Sequence, residues 1–313
     1  MKTISFVIPC YRSEKTIEKV VQEIIETVSL KKEEYEYEVI LVNDASPDNV
    51  FSVIEKMAKQ NERIRIIDFA KNMGKHAAVL AGYSVAKGDY VVDLDDDYQC
   101  PTYEIWRLLQ PLENDECDVA IAKYAEKKES FVKRFGSVIN KKMTDVLLDK
   151  PRDVKFENFS VRKKYVCDEM VKYKKPYPFL EGLTLQVTHR IKTVEMQQRV
   201  RADDNATGFT LRKSISLLLN GFTAFSVKPL RIITVIGLLV ILLGVINGVI
   251  GVVHTVSLKN NSDATYFLIS VQLLMGGLNM VMLGLLGEYV GRTYISINDA
   301  PQYVVKRTIN IKK

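Results

Sequence analysis

Four carboxylates fall within five positions of the stretch DLDDDYQC, residues 93–100, which follows the apolar run YVV. Carboxylates this close raise one another's pKa and destabilise a fold unless a positive charge lies among them. Such hard oxygen ligands suit Mg²⁺ or Mn²⁺, which keep several waters and accept substrate phosphates as ligands. If the strand continues through residue 97, Asp93, Asp95 and Asp97 share one side and Asp96 takes the other. The stretch therefore predicts a divalent metal site.

Short apolar strands alternate with amphipathic helices through the first part of the chain. Strands are predicted at ISFVIP, YEVILVND, IRIIDF and YVVDLD, and helices at 14–29, 50–60 and 76–87. This alternation predicts an α/β fold with a mostly parallel sheet and helices on both faces. Ligands bind such sheets outside the carboxyl ends of the strands.

Polar residues follow each of the four predicted strands. They are Pro9, Tyr11 and Glu14 after the first strand, Asn43 and Asp44 after the second, NMGK at 72–75 after the third, and the aspartates after the fourth. A solvated loop explains any one of these clusters, but four together favour a polar site of nucleotide size. The sequence has neither GxGxxG nor GxxxxGK[ST], so the dinucleotide and P-loop signatures are absent.

Two long apolar runs distinguish the C-terminal third. Residues 232–253 and 264–287 contain no charged residue, and each run is long enough to cross a bilayer as a helix. Only ten residues, HTVSLKNNSD, separate them, which predicts a transmembrane hairpin whose two ends share one side. The alternative is a pair of buried helices in a soluble core.

Basic residues flank the hairpin on the shared side, at Lys228 and Arg231 before it and at Arg292, Lys306 and Arg307 after it. The positive-inside rule then places both termini in the cytoplasm. Helical spacing of apolar residues over 211–222 predicts a helix in the membrane interface, with an ordinary core helix as the alternative. The predicted organisation is a cytoplasmic domain at 1–210, an interfacial region at 211–228, a hairpin at 229–290 and a cytoplasmic tail at 291–313.

The overall composition excludes fewer classes of function than the motifs do. The net charge of +6, from 44 basic and 38 acidic residues, suits nucleic acid, an anionic membrane or a phosphorylated substrate equally. The cysteines form no CxxC pair and the three histidines show no ligand spacing, so both are interpreted as structural. The cysteines are Cys10, Cys100, Cys117 and Cys167.

Several segments resemble a known family. VIPCYRSE, VNDASPDN, NMGKHAAVLAG and DLDDDYQCP resemble the nucleotide-sugar site of GT-A glycosyltransferases of family 2. DDDYQCP is similar to the D-x-D-L-Q-x-P segment of the polyprenyl-phosphate glycosyltransferases, such as dolichyl-phosphate mannose synthase and bacterial undecaprenyl-phosphate glucosyltransferases. The ending GEYVGRTYISINDAPQYVV resembles that of the bacterial members. The resemblance implies a GT-A domain followed by an interfacial helix and a two-helix hairpin in the bacterial plasma membrane.

The resemblance also implies roles for individual residues. The metal ligands are Asp95, Asp97 and Gln99, and the nucleotide-sugar residues are Pro9, Tyr11, Glu14, Asp44, Gly74, Lys75 and Asp95. The acceptor-phosphate residues are Lys123, Arg201 and Thr207, and the catalytic residues are Asp97, Lys123 and Arg201. Asp93 and Asp96 receive no ligand role. Lys123 stands where the family commonly has arginine, which changes a bidentate phosphate contact to a point charge.

The implied reaction transfers a sugar from a UDP-sugar to the phosphate of undecaprenol, with inversion and with Mg²⁺ or Mn²⁺ as cofactor. The product would serve cell-envelope glycan synthesis, and no nucleic acid is expected as a partner. Glycines at 276, 277, 284 and 287 leave room for close helix packing, including a homo-oligomer. The sugar itself stays open.

Two other functions remain as alternatives. A processive polysaccharide synthase of the same fold would carry a QxxRW segment, whereas the only tryptophan, Trp106, lies in EIWRLL. A non-catalytic membrane-anchored binding protein would have no need of the intact set Asp95, Asp97 and Gln99.

Overall fold

The structure, a computed structural model, describes residues 1–124, 156–176, 178–197, 262–297 and 301–311, together with Val154, Arg199 and five positions between 237 and 249. The chain forms two compact units. The first comprises Met1–Ser214 and Asp299–Lys313, and the second comprises Ile215–Asn298.

An eight-stranded sheet forms the first unit, in the order β7-β5-β6-β4-β1-β2-β3-β8. The strands are β1 Lys2–Cys10, β2 Tyr35–Asn43, β3 Ile64–Phe69, β4 Tyr90–Asp93, β5 Val119–Tyr124, β6 Ser160–Lys163, β7 Ile191–Met196 and β8 Val305–Ile309. Among the described residues, the helices of this unit are α1 Ile17–Ser29, α2 Val50–Gln60, α3 Lys75–Val85, α4 Ile105–Glu113, α5 Lys164–Val171 and α6 Leu180–Val187. Thr102–Glu104 form a 3₁₀ turn before α4.

The central strands run parallel, as predicted. β1 pairs in parallel with both β2 and β4, and β2 pairs in parallel with β3. The last seven residues of β1 are all buried, because helices cover both faces of the sheet there. The carboxyl ends of β1 to β4 therefore lie along one edge, which confirms the predicted α/β architecture.

The expected alternation of the aspartates is wrong. β4 ends at Asp93, and Tyr98 has a left-handed backbone with φ of 61°. The Asp96 carboxylate accepts a hydrogen bond from the Tyr11 backbone N–H, which draws the chain out of the sheet. Asp95 and Asp97 are therefore loop residues, and strand alternation does not decide where their side chains lie.

The C-terminal tail forms part of the sheet, a feature that the sequence did not predict. β8 pairs antiparallel with β3, and the ring of Tyr303 stacks on Phe69 with centroids 5.2 Å apart. Beyond the strand, Asn310 Nδ2 donates to the carbonyls of Ala58 and Ile64, each at 2.8 Å. These contacts make the tail an integral edge of the first unit.

The second unit contains the long helix α7, Ser262–Ile297. Its segment Leu274–Gly291 is long and apolar enough to cross a membrane, and Leu274 and Leu283 are exposed. The predicted helix at 264–287 is therefore helical in the structure. Of the predicted helix at 232–253, the structure describes five positions, all helical. The predicted interfacial helix at 211–228 lies outside the described residues.

Close packing of α3 on β1 gives a testable prediction for stability. A Cβ added at Gly82 would lie 2.2 Å from Val7 Cγ1, in the centre of the sheet. We expect Gly82→Ala to lower the free energy of unfolding by about 1–3 kcal/mol, because overpacking of a core forces the backbone to shift. The measurement is thermal unfolding in detergent, with Ser84→Ala on the exposed face of α3 as the control. Equal melting temperatures for the two variants would contradict the close contact.

Candidate active site

The loop after β4, residues 94–99, is called the acidic loop here, and it contacts two other strand ends. Asp95 forms an ion pair with Lys75, the first residue of α3. Asp96 Oδ2 accepts the Tyr11 N–H at 2.9 Å, and Asp97 Oδ1 accepts the Gln99 N–H at 3.2 Å. The fold therefore brings the predicted metal residues together with two of the predicted nucleotide residues.

Negative charge in the acidic loop is incompletely balanced. Burial, together with the charges of Asp95 and Asp97, raises the pKa of Asp96 to about 6, against the opposing effect of the Tyr11 backbone donor. Burial also raises the pKa of Asp95, against the opposing effect of Lys75. Among the described residues, no His, Cys, Asp and Glu side chains form a ready group of three metal ligands. The loop favours a cation through its carboxylate chemistry and charge, and not through a preassembled ligand cage.

Asp44 holds the loop that begins α3. This buried carboxylate accepts the N–H groups of Met73 at 2.6 Å and of Gly74 at 2.9 Å, one on each oxygen. Gly74 has φ of 86°, a conformation that favours glycine, and it precedes Lys75 at the helix start. Burial raises the pKa of Asp44, and the two backbone donors lower it. Asp44 thus orients the loop that presents the N-terminus of α3 to the rim, where anions are favoured.

Glu14 and its neighbours join the end of β1 to the start of α2. Glu14 Oε2 accepts the Asn49 N–H at 2.9 Å, and the Glu14 N–H donates to Asp48 Oδ2 at 3.0 Å. Ser46 Oγ accepts the Arg12 N–H at 2.7 Å and donates to Asp48 Oδ1 at 2.5 Å. These bonds fix the loop that carries Tyr11.

Pro9 and Tyr11 line the same rim from β1. Pro9 is buried within the strand opposite Val42, whereas Tyr11 follows the strand and has 44% of its surface exposed. An exposed aromatic ring beside the acidic loop offers a stacking surface for a planar ligand.

Lys123 does not contact the acidic loop. Its Nζ pairs with Glu195 Oε1 at 3.0 Å, and β6 lies between β5 and β4 in the sheet. Arg201 and Thr207 lie outside the described residues. The chain nonetheless reaches the acidic loop just before them, because the Arg199 N–H donates to the Gln99 carbonyl at 3.2 Å.

Arg199 fixes this return of the chain. Its guanidinium makes two hydrogen bonds to Glu23 of α1, at 2.7 and 3.0 Å, and lies over the Tyr98 ring at 4.5 Å. Glu23 also accepts the Thr102 N–H at 3.1 Å. Residues on both sides of Gln99 are thereby tied to α1, which the sequence did not predict.

Asp93 belongs to a separate, buried cluster. It forms an ion pair with Arg162, and Asp93 Oδ1 accepts hydrogen bonds from Tyr83 at 2.8 Å and Ser160 at 2.9 Å. Both charged side chains are almost fully buried. Asp93 anchors β4 to β6 and α3, and it is not one of the proposed metal ligands.

Comparison with known proteins identifies the family. Residues 5–170 match Glycosyl transferase family 2, and residues 228–293 match the GtrB C-terminal hairpin. The uncharacterized glycosyltransferase YkcC of Bacillus subtilis is 30% identical to this chain, covering 98% of it and 94% of YkcC. The undecaprenyl-phosphate 4-deoxy-4-formamido-L-arabinose transferase of Proteus mirabilis is 28% identical over 99% of this chain and 95% of its own length. The prophage bactoprenol glucosyl transferase homolog of Escherichia coli is 29% identical over 97% of this chain and 98% of its own length.

Solved structures share the fold. Glucosyl-3-phosphoglycerate synthase from Mycobacterium tuberculosis, in complex with Mn²⁺, UDP and glucosyl-3-phosphoglycerate, superposes with a TM-score of 0.53 at 17% identity. The match covers 72% of this chain and 80% of that one. With the family match spanning more than half of the residues, the chain belongs to glycosyltransferase family 2.

Proposed function

We propose that this protein transfers a sugar from a UDP-sugar to undecaprenyl phosphate, with inversion and with a divalent metal, at the cytoplasmic face of the bacterial plasma membrane. The observation that carries the proposal is the acidic loop, held beside Tyr11 and Lys75 at the carboxyl edge of the sheet. Relatives whose names include undecaprenyl phosphate or bactoprenol match this chain over nearly its whole length, which supports the lipid acceptor.

The residues of the acidic loop fit a hard divalent ion. Asp95, Asp97 and Gln99 supply carboxylate and amide oxygens, the donors that Mg²⁺ and Mn²⁺ prefer. Burial raises the pKa of Asp95 even though Lys75 lowers it, and a bound cation would further favour the charged carboxylate. A bound ion would stabilise the negative charge that develops on the departing diphosphate.

Other residues bind and orient the donor. The exposed ring of Tyr11 offers a surface for the nucleobase, and the loop held by Asp44 places the N-terminus of α3, where anions are favoured, at the same edge. Lys75, paired with Asp95, carries a positive charge from the start of α3 to the same edge. Glu14 fixes the segment on which Tyr11 lies, and Pro9 is buried in β1 just before it.

The acceptor needs orientation more than deprotonation. A phosphate monoester is already largely ionised at neutral pH, so its oxygen attacks without a strong general base. We assign Lys123, Arg201 and Thr207 to this phosphate, with attack opposite the leaving group. The contact of Arg199 with the Gln99 carbonyl supports Arg201, two residues further along the chain.

The topology of the first unit supports a hairpin anchor. β8 follows the apolar segments in the chain yet pairs with β3, so both ends of any membrane segment start from one folded unit. A chain returning to the same side crosses a bilayer an even number of times. The expected helices at 232–253 and 264–287 meet this condition, with both termini cytoplasmic.

In the decisive test, the purified full-length protein is incubated with undecaprenyl phosphate, Mn²⁺ or Mg²⁺ and a panel of nucleotide sugars. The lipid is then analysed by mass spectrometry. We expect one UDP-sugar to add a single sugar unit, and EDTA to abolish the product. Undecaprenol without phosphate is the matched control acceptor and should stay unmodified. Products with many sugar units would favour the polysaccharide synthase, and absence of any transfer would favour a binding protein.

A further inference from the structure

The C-terminal strand contributes a charged side chain to the edge that carries the proposed donor site. Arg307 of β8 donates from Nε to Asp68 Oδ2 of β3 at 2.7 Å. The Arg307 guanidinium also lies over the Phe51 ring of α2, 3.5 Å from its centroid. Both partners come from the first unit, so Arg307 joins β8 to β3 and α2 at once.

The partner of Arg307 is a buried carboxylate and not a surface one. Only 3% of Asp68 is exposed, compared with nearly half of the Arg307 side chain. A surface ion pair contributes little, but removing the cation from a buried carboxylate leaves an uncompensated charge at substantial cost. The register of the β3–β8 pairing shifts between Asp68 and Phe69. Such irregularities often redirect side chains near functional sites.

Asp68 also connects β3 to the adjacent strand, β2, through a hydrogen bond. Its second oxygen, Oδ1, accepts a hydrogen bond from Asn43 Nδ2 at 2.7 Å, and Asn43 is also buried. Asn43 Oδ1 in turn accepts the Ser46 N–H at 3.2 Å, and Ser46 holds the backbone of Arg12. A polar relay therefore runs from β8 through β3 and β2 to the loop after β1.

The relay ends at the residues that orient the donor loops. Asp44, directly after Asn43, holds the N–H groups of Met73 and Gly74. The same loop is tied at its start, because the Ala70 N–H donates to the Val304 carbonyl at 2.9 Å. The tail thus fixes the segment 70–74 from one side while Asp44 fixes it from the other.

We propose that Arg307 is a positioning residue for the donor nucleotide, acting through Asp68 and Asn43 on Asp44 and the segment 70–74. This inference rests on the proposed function, since it takes Asp44 and the segment 70–74 to face the donor. The strand that follows the membrane helices is thereby a working part of the donor site. Residues that orient metal ligands through hydrogen bonds contribute about 10–100-fold to affinity or activity, and we expect an effect at the lower end of that range for residues that orient a nucleotide-binding loop.

The test is Arg307→Met in the full-length protein, with Arg63→Met as a matched control. Arg63 lies over the Tyr37 ring at 5.3 Å and pairs with Glu36 at 3.5 Å, but Glu36 is exposed and Arg63 precedes the opposite end of β3. Binding of UDP and GDP with Mn²⁺ is measured by calorimetry, and the donor KM, acceptor KM and kcat are measured in the transfer assay. We expect Arg307→Met to weaken nucleotide binding and raise the donor KM about tenfold, with acceptor KM and kcat nearly unchanged.

Each result has a defined meaning. Wild-type affinity in Arg307→Met, equal losses in both variants, or a parallel rise in acceptor KM would overturn the positioning role. If the wild-type protein binds neither nucleotide, the proposed function fails and the inference fails with it, a result distinct from failure of the variant alone. If Arg307→Met does not fold, Arg307→Met combined with Asp68→Asn decides, because it removes the ion pair without leaving an unpaired buried carboxylate. Several-fold weaker nucleotide binding by this double variant supports the role, and unchanged binding refutes it.

Discussion

Asp97→Asn in the full-length protein is expected to lower metal-dependent sugar transfer by roughly 10²–10³-fold. The substitution keeps the size of the side chain and an amide oxygen, but it removes one negative charge from the proposed metal ligands. The Gln99 N–H, which donates to Asp97 Oδ1 at 3.2 Å, can still donate to the asparagine oxygen, so the loop should keep its conformation. The loss should therefore fall on transfer, and a raised Mn²⁺ concentration should restore part of it.

Asp115→Asn is the matched control for this change. Asp115 is exposed between α4 and β5 and has φ of 54°, a conformation that asparagine also adopts readily. We expect full activity from the control, and melting temperatures for both variants within about 2 °C of wild type. Undiminished transfer by Asp97→Asn would remove the catalytic role proposed for the acidic loop.

The edge of the sheet could be predicted from the sequence because its signals are local. Each of the first four strands is a short apolar run followed at once by polar residues, and the structure places those strand ends together. Parallel pairing brings consecutive carboxyl ends to one edge, so the order of residues alone predicted that Tyr11, Asp44, Lys75 and Asp95 are neighbours.

Contacts between distant segments could not be predicted in the same way. Arg307 meets Asp68 across 239 positions of sequence, and Arg199 meets Glu23 across 176. No periodicity encodes such pairs, although a charged residue inside the apolar run IRIIDF was a signal that Asp68 needs a buried partner. The end of β4 was misjudged for a similar reason, since the hydrogen bond between Asp96 and the Tyr11 backbone joins residues 85 positions apart.

The buried pair of Asp93 and Arg162 leads to the second large expected effect. Arg162→Met should lower the free energy of unfolding by about 3–5 kcal/mol, because it leaves the Asp93 carboxylate buried without its counter-charge. Tyr83 and Ser160 would still donate hydrogen bonds to Asp93, but neither carries a positive charge. For a domain of this size the corresponding fall in melting temperature is about 10 °C, measured in detergent.

A double variant separates the lost charge from lost packing. Asp93→Asn combined with Arg162→Met removes both charges, so the penalty of an unpaired buried carboxylate disappears and part of the stability should return. Arg63→Met, which breaks a pair exposed on both sides, should cost less than about 1 kcal/mol. Equal destabilisation by the single and double variants would mean that Arg162 acts through packing, for example against the Tyr83 ring at 5.6 Å. Recovery in the double variant would instead show that Asp93 serves the stability of the fold. The candidates for chemistry are then the carboxylates of the acidic loop, which begins one residue later.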